Sequence, residues 1–160
     1  MTPEQAVRDA KRGELLPVYL VLGEESYLAD EVIAAITQGT DLGATKGFNH
    51  ERFVASESNA ESGLAAARTV PMMARYRLVV LSGLERWDKQ GEGGLDLLAE
   101  YAADPVPSSV VVLSATKLHG SRKLVRHAKQ AGYLVSCQTL ARRDLPAWIR
   151  SPSLFGEGIV

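Results

Sequence analysis

The sequence predicts an α/β domain in three layers, with helices on both faces of a five-stranded parallel sheet. Three observations predict it. Val18-Tyr19-Leu20-Val21-Leu22, Leu78-Val79-Val80-Leu81 and Val110-Val111-Val112-Leu113 are unbroken apolar runs, as expected of strands buried on both faces. The segments between them space their apolar residues three and four apart, which places one apolar stripe on a helix. Strand and helix alternate along the chain, so right-handed crossovers lay helices on each side of one sheet. No internal repeat and no low-complexity segment interrupts the pattern.

In order, Thr2-Pro3-Glu4-Gln5 has the composition of a helix start, with Thr2 as cap, Pro3 in the first turn and Gln5 able to close a capping box. That helix ends near Lys11 and Arg12, with Gly13 as the stop. Residues 18–22 are the first strand, Gly23-Glu24-Glu25-Ser26 the turn, and Ser26 the expected cap of a helix whose Leu28, Val32, Ile33 and Ile36 share a face. Gly39 ends it, and residues 39–47 read as a loop. Residues 48–54 form a more polar strand, placed at a sheet edge. Ser58 or Asn59 caps a short alanine-rich helix through Arg68. The third strand is 77–81, residues 83–94 are a glycine-rich loop, and Leu95, Leu98 and Ala102 mark a helix broken by Asp104-Pro105-Val106-Pro107. Strand 109–114 follows, then a basic helix capped by Ser121, a stop at Gly132 and a fifth strand over 133–136. Asp144 and Pro146 open a last helix carrying Trp148 and Ile149. The domain is expected over 1–150, with 151–160 a tail or the start of something longer.

Composition limits the function classes. At 160 residues, 46% hydrophobic and 23% charged, the chain suits one globular domain with a full core. No apolar run approaches the roughly 18 residues of a membrane span. The start lacks the basic-then-apolar pattern of a secretory signal, so a cytoplasmic protein is expected. The single cysteine, Cys137, excludes an internal disulfide and a cysteine-based zinc cluster. The net charge of -1 conceals an asymmetry: Lys117, Arg122, Lys123, Arg126, Lys129, Arg142, Arg143 and Arg150 face only Asp144. This is either a phosphate-facing surface or the solvated faces of two helices.

The residues that carry chemistry in such folds are missing. A phosphate-gripping turn needs glycines so that backbone amides converge, followed by Lys and Ser or Thr. The first strand-to-helix turn here has one glycine, no lysine, and the carboxylates of Glu24 and Glu25, which repel a polyanion. His50, His119 and His127 have no metal-ligand spacing and read as surface histidines. Cys137 reads as a small half-buried residue, Trp87 as a ring packed at the end of the sheet, and Trp148 as a core or domain-junction residue. No cofactor and no catalytic residue is expected. One oddity remains: Met72 and Met73 stand side by side behind Pro71 and ahead of Arg75 and Arg77. Methionine suits an adaptable contact surface as well as a core gap. Either both are exposed for a partner, or one packs under the sheet edge.

Several segments resemble the delta-subunit family of the bacterial DNA polymerase III clamp loader. They are Pro17-Val18-Tyr19-Leu20-Val21-Leu22-Gly23-Glu24-Glu25-Ser26-Tyr27-Leu28, Pro71-Met72-Met73-Ala74-Arg75-Tyr76-Arg77-Leu78-Val79-Val80-Leu81, the Tyr101-to-Leu113 helix, proline break and strand, Lys117-Leu118 with Arg122-Lys123-Leu124, and Leu145-Pro146-Ala147-Trp148-Ile149. The resemblance spans roughly 15–150, in the family's N-terminal domain. It implies a RecA-like, AAA+-type domain with a degenerate phosphate loop and no ATP hydrolysis of its own, working within a DNA-directed DNA polymerase (nucleotidyltransferase) assembly. It implies that the domain binds the sliding clamp, the beta subunit, and helps open it for loading onto primed DNA. The matching anchors are Met72 and Met73, with Met73 the deeper of the two. Pro71, Arg75 and Arg77 are neighbours at the rim, and Tyr76 is expected beneath the pair. Other loader subunits are implied partners of a full-length chain, DNA an indirect or weak one. Two departures stand out. His119-Gly120 replaces the family's acidic and basic residues, and 151–160 does not resemble its lid. The alternatives are a degenerate α/β enzyme that takes a nucleotide or acidic ligand through the Lys117-to-Lys129 region, or a nucleic-acid binder that uses the basic helix 121–129.

Overall fold

The computed structural model describes residues 1–90 and 93–138. Helix α1 (Pro3–Lys11) starts as its sequence predicts: the Thr2 hydroxyl accepts the Gln5 N–H at 3.1 Å. Strand β1 (Val18–Leu22) is buried along its whole length. Helix α2 (Ser26–Gly39) leads to a 3-10 turn (Gly43–Thr45), the one-turn helix α3 (Lys46–Asn49) and strand β2 (His50–Val54). Helix α4 (Ala60–Ala67) precedes β3 (Arg77–Ser82). Then come α5 (Glu85–Gln90), α6 (Gly94–Ala103), β4 (Ser109–Ala115), α7 (Lys123–Ala131) and β5 (Leu134–Ser136).

The strands form one sheet in the order β2-β3-β4-β1-β5, and every pairing is parallel. Successive side chains point to opposite faces, so one set of aliphatics fills two cores. Leu20, Leu81 and Leu113 face Leu64, Trp87, Leu98 and Leu124. Tyr19, Val21, Val80 and Val112 face Ala6, Val32 and Ile36. The expected three-layer α/β architecture is present. β2 lies at an edge, as its polarity predicts. The other edge is completed by the chain start: the Met1 ammonium donates to the Leu134 carbonyl at 2.8 Å.

Several local expectations are corrected. Residues 83–94 were expected as a loop, yet α5 forms inside them. Trp87 on α5 is 3% exposed and its indole N–H donates to the Ala55 carbonyl at 3.2 Å. The ring is therefore part of the core, where the short helix gains the burial that its polar sequence hides. The 39–47 loop contains the 3-10 turn and the start of α3, so β2 begins at His50 rather than residue 48. Ser26 is the first residue of α2 and Glu25 its cap position, with no side-chain cap.

Ser121 is also not a cap, because α7 starts at Lys123 after an uncapped Arg122. The 116–122 loop is instead tied down by α5. Thr116 N–H donates to Glu85 Oε1 at 3.0 Å and His119 N–H to Asp88 Oδ2 at 2.8 Å. The Arg122 guanidinium pairs with the Asp88 carboxylate and donates to its carbonyl. Burial alone would raise the Asp88 carboxyl, but the His119 N–H and the Arg122 charge hold it below the usual range. Arg122 is therefore spent internally rather than solvated. Cys137, expected half-buried, is 0% exposed, and burial pushes its thiol up to about 11. The expected last helix with Trp148 and Ile149, the cations Arg142, Arg143 and Arg150, and the 151–160 segment lie outside the described residues.

Candidate functional site

The Met72-Met73 stretch follows from how α4 ends. Asn59 opens this helix by accepting the Ser62 N–H at 2.9 Å. Gly63 lets it press against β3, where a Cβ would lie 2.6 Å from Leu81 Cδ2. The last carbonyls of a helix lack partners within it. Here Arg68 N–H reaches the Leu64 carbonyl, Thr69 serves the Ala65 and Ala66 carbonyls, and side chains from the starts of β3 and β4 add to them. Arg77 Nε donates to the Ala66 carbonyl at 2.8 Å and Ser109 Oγ to the Ala67 carbonyl at 2.5 Å. With these positions filled, the connection to β3 bulges outward past the N-terminal edge of the sheet.

On that bulge Met72 is 56% and Met73 89% exposed, and Val70 beside them is also exposed. Neither methionine packs under the sheet edge. Met73 has a backbone φ of +58°, a left-handed conformation uncommon for a residue with a side chain. Asn49, at the end of α3, holds the turn: its Oδ1 accepts the Met72 N–H at 2.7 Å and its Nδ2 donates to the Met72 carbonyl at 2.8 Å. Tyr76 is half-buried against the α1–α2 side of the core, and the exposed Arg75 guanidinium lies 5.1 Å from its ring centre.

Of the residues expected at this site, Met72, Met73 and Arg75 are exposed together and Pro71 is half-buried. Arg77 is a correction. It is only 6% exposed, donates to the Ala66 and Phe48 carbonyls, and pairs with Glu51. As an internal brace between α4, α3 and β2 it is not available as a rim contact. Asn49 was missed by the sequence reading. Its partner lies 23 residues away, and no local spacing signals such a contact.

At the opposite, C-terminal edge, the β1–α2 turn is closed by its neighbours. Gly23 N–H donates to the Ala115 carbonyl at 3.1 Å, Glu25 N–H to the Cys137 carbonyl at 2.9 Å, and Cys137 N–H to the Leu22 carbonyl at 2.7 Å. Two amides of the turn where a phosphate loop would lie, those of Gly23 and Glu25, are thus committed to neighbouring carbonyls. Gly23 has φ +149°, and a Cβ there would lie 2.1 Å from the Cys137 carbonyl oxygen. The adjoining open cleft is lined by Leu22, Glu24, Thr116, Lys117, Leu118 and Gln138.

The histidines were expected on the surface, and only His119 is fully there. His127 Nδ1 lies 2.7 Å from the Tyr133 hydroxyl, and His50 is half-buried with its Nε2 enclosed and unpartnered. Among the described residues no cluster of three or more His, Cys, Asp or Glu is placed to hold a metal, and no helix is long and apolar enough to cross a membrane.

The sequence family described as DNA polymerase III, delta subunit matches residues 19–138, from β1 through the methionine bulge to β5. The chain belongs to the DNA polymerase III delta-subunit family. It is 31% identical over 145 residues to DNA polymerase III subunit delta of Bacillus subtilis (strain 168), a match covering 86% of this chain and 42% of that protein. The solved structure of the Bacillus subtilis DNA clamp loader delta protein superposes with a TM-score of 0.78 at 28% identity, over 89% of this chain and 44% of that one. A Thermotoga maritima protein related to the DNA polymerase III gamma subunit shares the fold, with a TM-score of 0.55 at 12% identity, over 92% of this chain and 49% of that one. The chain thus spans less than half the length of the delta relatives it matches.

Proposed function

We propose that this delta-family chain carries the clamp-binding part of a DNA polymerase III clamp loader. In this reading Met72 and Met73 insert into an apolar pocket on the sliding clamp, with Met73, the more exposed, reaching deeper. Pro71 shapes the approach and Arg75 contacts the rim. The domain opens the ring by differential binding: it prefers the sprung clamp and shifts that equilibrium. It hydrolyses no ATP itself, works beside other loader subunits in the cytoplasm, and meets DNA only weakly.

The observation that carries this reading is two adjacent methionines, both exposed, on a turn whose backbone is fixed by a buried asparagine. Exposed apolar side chains on an ordered turn cost solvation in the free chain and suit anchors that concentrate binding energy at an interface. The commitment of the Gly23 and Glu25 amides to neighbouring carbonyls supports a role without ATP. The test is binding of the purified bacterial sliding clamp, measured by surface plasmon resonance, to the chain with Met72→Ala and Met73→Ala together. The expected outcome is a loss on the order of 1,000-fold, two anchors at about 2 kcal/mol each, with the unfolding transition unchanged. Wild-type affinity in the folded double variant overturns the assignment.

A further inference from the structure

The Asn49 side chain is 0% exposed, yet its amide works on a turn whose side chains face solvent. We infer that Asn49 is the positioning residue of the docking bulge, presetting both methionines outward before a partner arrives. The inference rests on the clamp-docking reading above.

The chemistry selects an amide. Asn offers a donor and an acceptor side by side, so it can pair with the N–H and the carbonyl of one residue, as a neighbouring strand would. The acceptor takes the Met72 N–H at 2.7 Å, and the donor group reaches the Met72 carbonyl at 2.8 Å and the Thr45 carbonyl at 3.3 Å. A carboxylate could only accept, and an aliphatic of the same size could do neither. One residue further on, Met73 adopts φ +58°, which for a non-glycine residue persists only where its surroundings hold it. The bulge is held on both sides: the Asn49 clasp fixes Met72, and Ala74 and Tyr76 pack into the core. Arg77 braces the same corner by donating to the carbonyl of Phe48, the residue before Asn49. Anchors already ordered in the free chain avoid the ordering cost that a floppy loop meets on binding.

The test combines amide exchange with clamp binding. In the unmodified chain, the Met72 amide is expected to be protected although its side chain is exposed. Asn49→Leu keeps the branching and heavy-atom count of the side chain and removes all three bonds, and Asn49→Ala is read the same way should the bulkier leucine variant not fold. Either is expected to release Met72 amide protection and weaken binding of the purified sliding clamp about tenfold. That loss is expected to vanish when Met72→Ala and Met73→Ala are already present, because Asn49 acts only through the anchors. An unprotected Met72 amide in the unmodified chain overturns the inference. So does unchanged clamp affinity in a folded Asn49 variant, or an Asn49 effect that persists in full without the methionines. If the methionine double variant alone binds like wild type, the docking reading falls and the positioning role with it. The exchange result still reports separately on the clasp.

Discussion

At the C-terminal edge of the sheet, the turn after β1 gives its amides to the carbonyls of Ala115 and Cys137 and shows Glu24 to the adjoining cleft. At the N-terminal edge, the bulge before β3 gives its backbone to Asn49 and shows Met72 and Met73 to solvent. Both turns contain an unusual φ, +149° at Gly23 and +58° at Met73. At Gly23 the strained residue has no side chain and lets two backbones meet. At Met73 it has a long apolar side chain and aims it away from the domain. One edge thus commits its backbone to neighbouring carbonyls, while the other secures its backbone so that two apolar side chains stand in solvent.

The largest stability effect is expected from Gly23→Ala. Its Cβ would meet the Cys137 backbone, and urea unfolding should show a loss of about 4 kcal/mol. Clamp binding by the remaining folded protein should be unchanged, since the two turns lie at opposite ends of the parallel strands. A milder cost with weakened clamp binding would mean that the edges are coupled.

Arg77→Ala is expected to cost about 3 kcal/mol by the same measurement. It removes the donor to the Phe48 carbonyl and one of the two donors to the Ala66 carbonyl, which keeps the Thr69 N–H at 3.1 Å, and leaves half-exposed Glu51 without its partner. Clamp affinity should fall too, because the brace lies under the Asn49 clasp. If stability fell and affinity held, the bulge would be independent of its brace.

His50 gives a smaller effect with a defined sign. Burial, then the charges of Arg52 and Lys46, lower its pKa in the folded chain below the ordinary value near 6.5. The unfolded chain therefore binds the proton first. The neutral ring's contribution is complete above about pH 7.5 and is lost as pH falls through 6.5 toward the folded value. Tm followed between pH 8 and 5 should decline, and His50→Gln should flatten that decline. The same slope in the variant would assign it to other groups. The smallest expected effect is at the C-terminal edge. Millimolar ATP with magnesium should move Tm by less than about 1 °C, because binding to the folded chain is what produces a shift. A clear shift would restore a ligand role to the β1–α2 turn.

Much of this arrangement was legible in the sequence because it is local. Three apolar runs gave β1, β3 and β4 their buried places, Thr2 and Asn59 cap their helices, and Gly132 ends α7 at φ +84°. The exposed methionine pair was visible as an oddity of composition. Its supports were not. Asn49 and Arg77 bond to residues 23 to 29 positions away, and Arg77 reads locally as one more surface cation. Trp87 was hidden in the same way. Its polar, glycine-flanked setting reads as a loop until the Ala55 carbonyl and the core are brought to it. Ser26 and Ser121 show the reverse error: each is of a type common at caps, yet neither occupies the cap position of its helix.

The buried state of Cys137 has a practical consequence. The chain has one thiol, enclosed and raised to about 11, so almost none of it is the reactive thiolate at neutral pH. A cysteine installed by Met73→Cys would stand alone as the addressable thiol. A fluorophore or spin label could then be attached at the bulge without first stripping the chain of its native sulfhydryl.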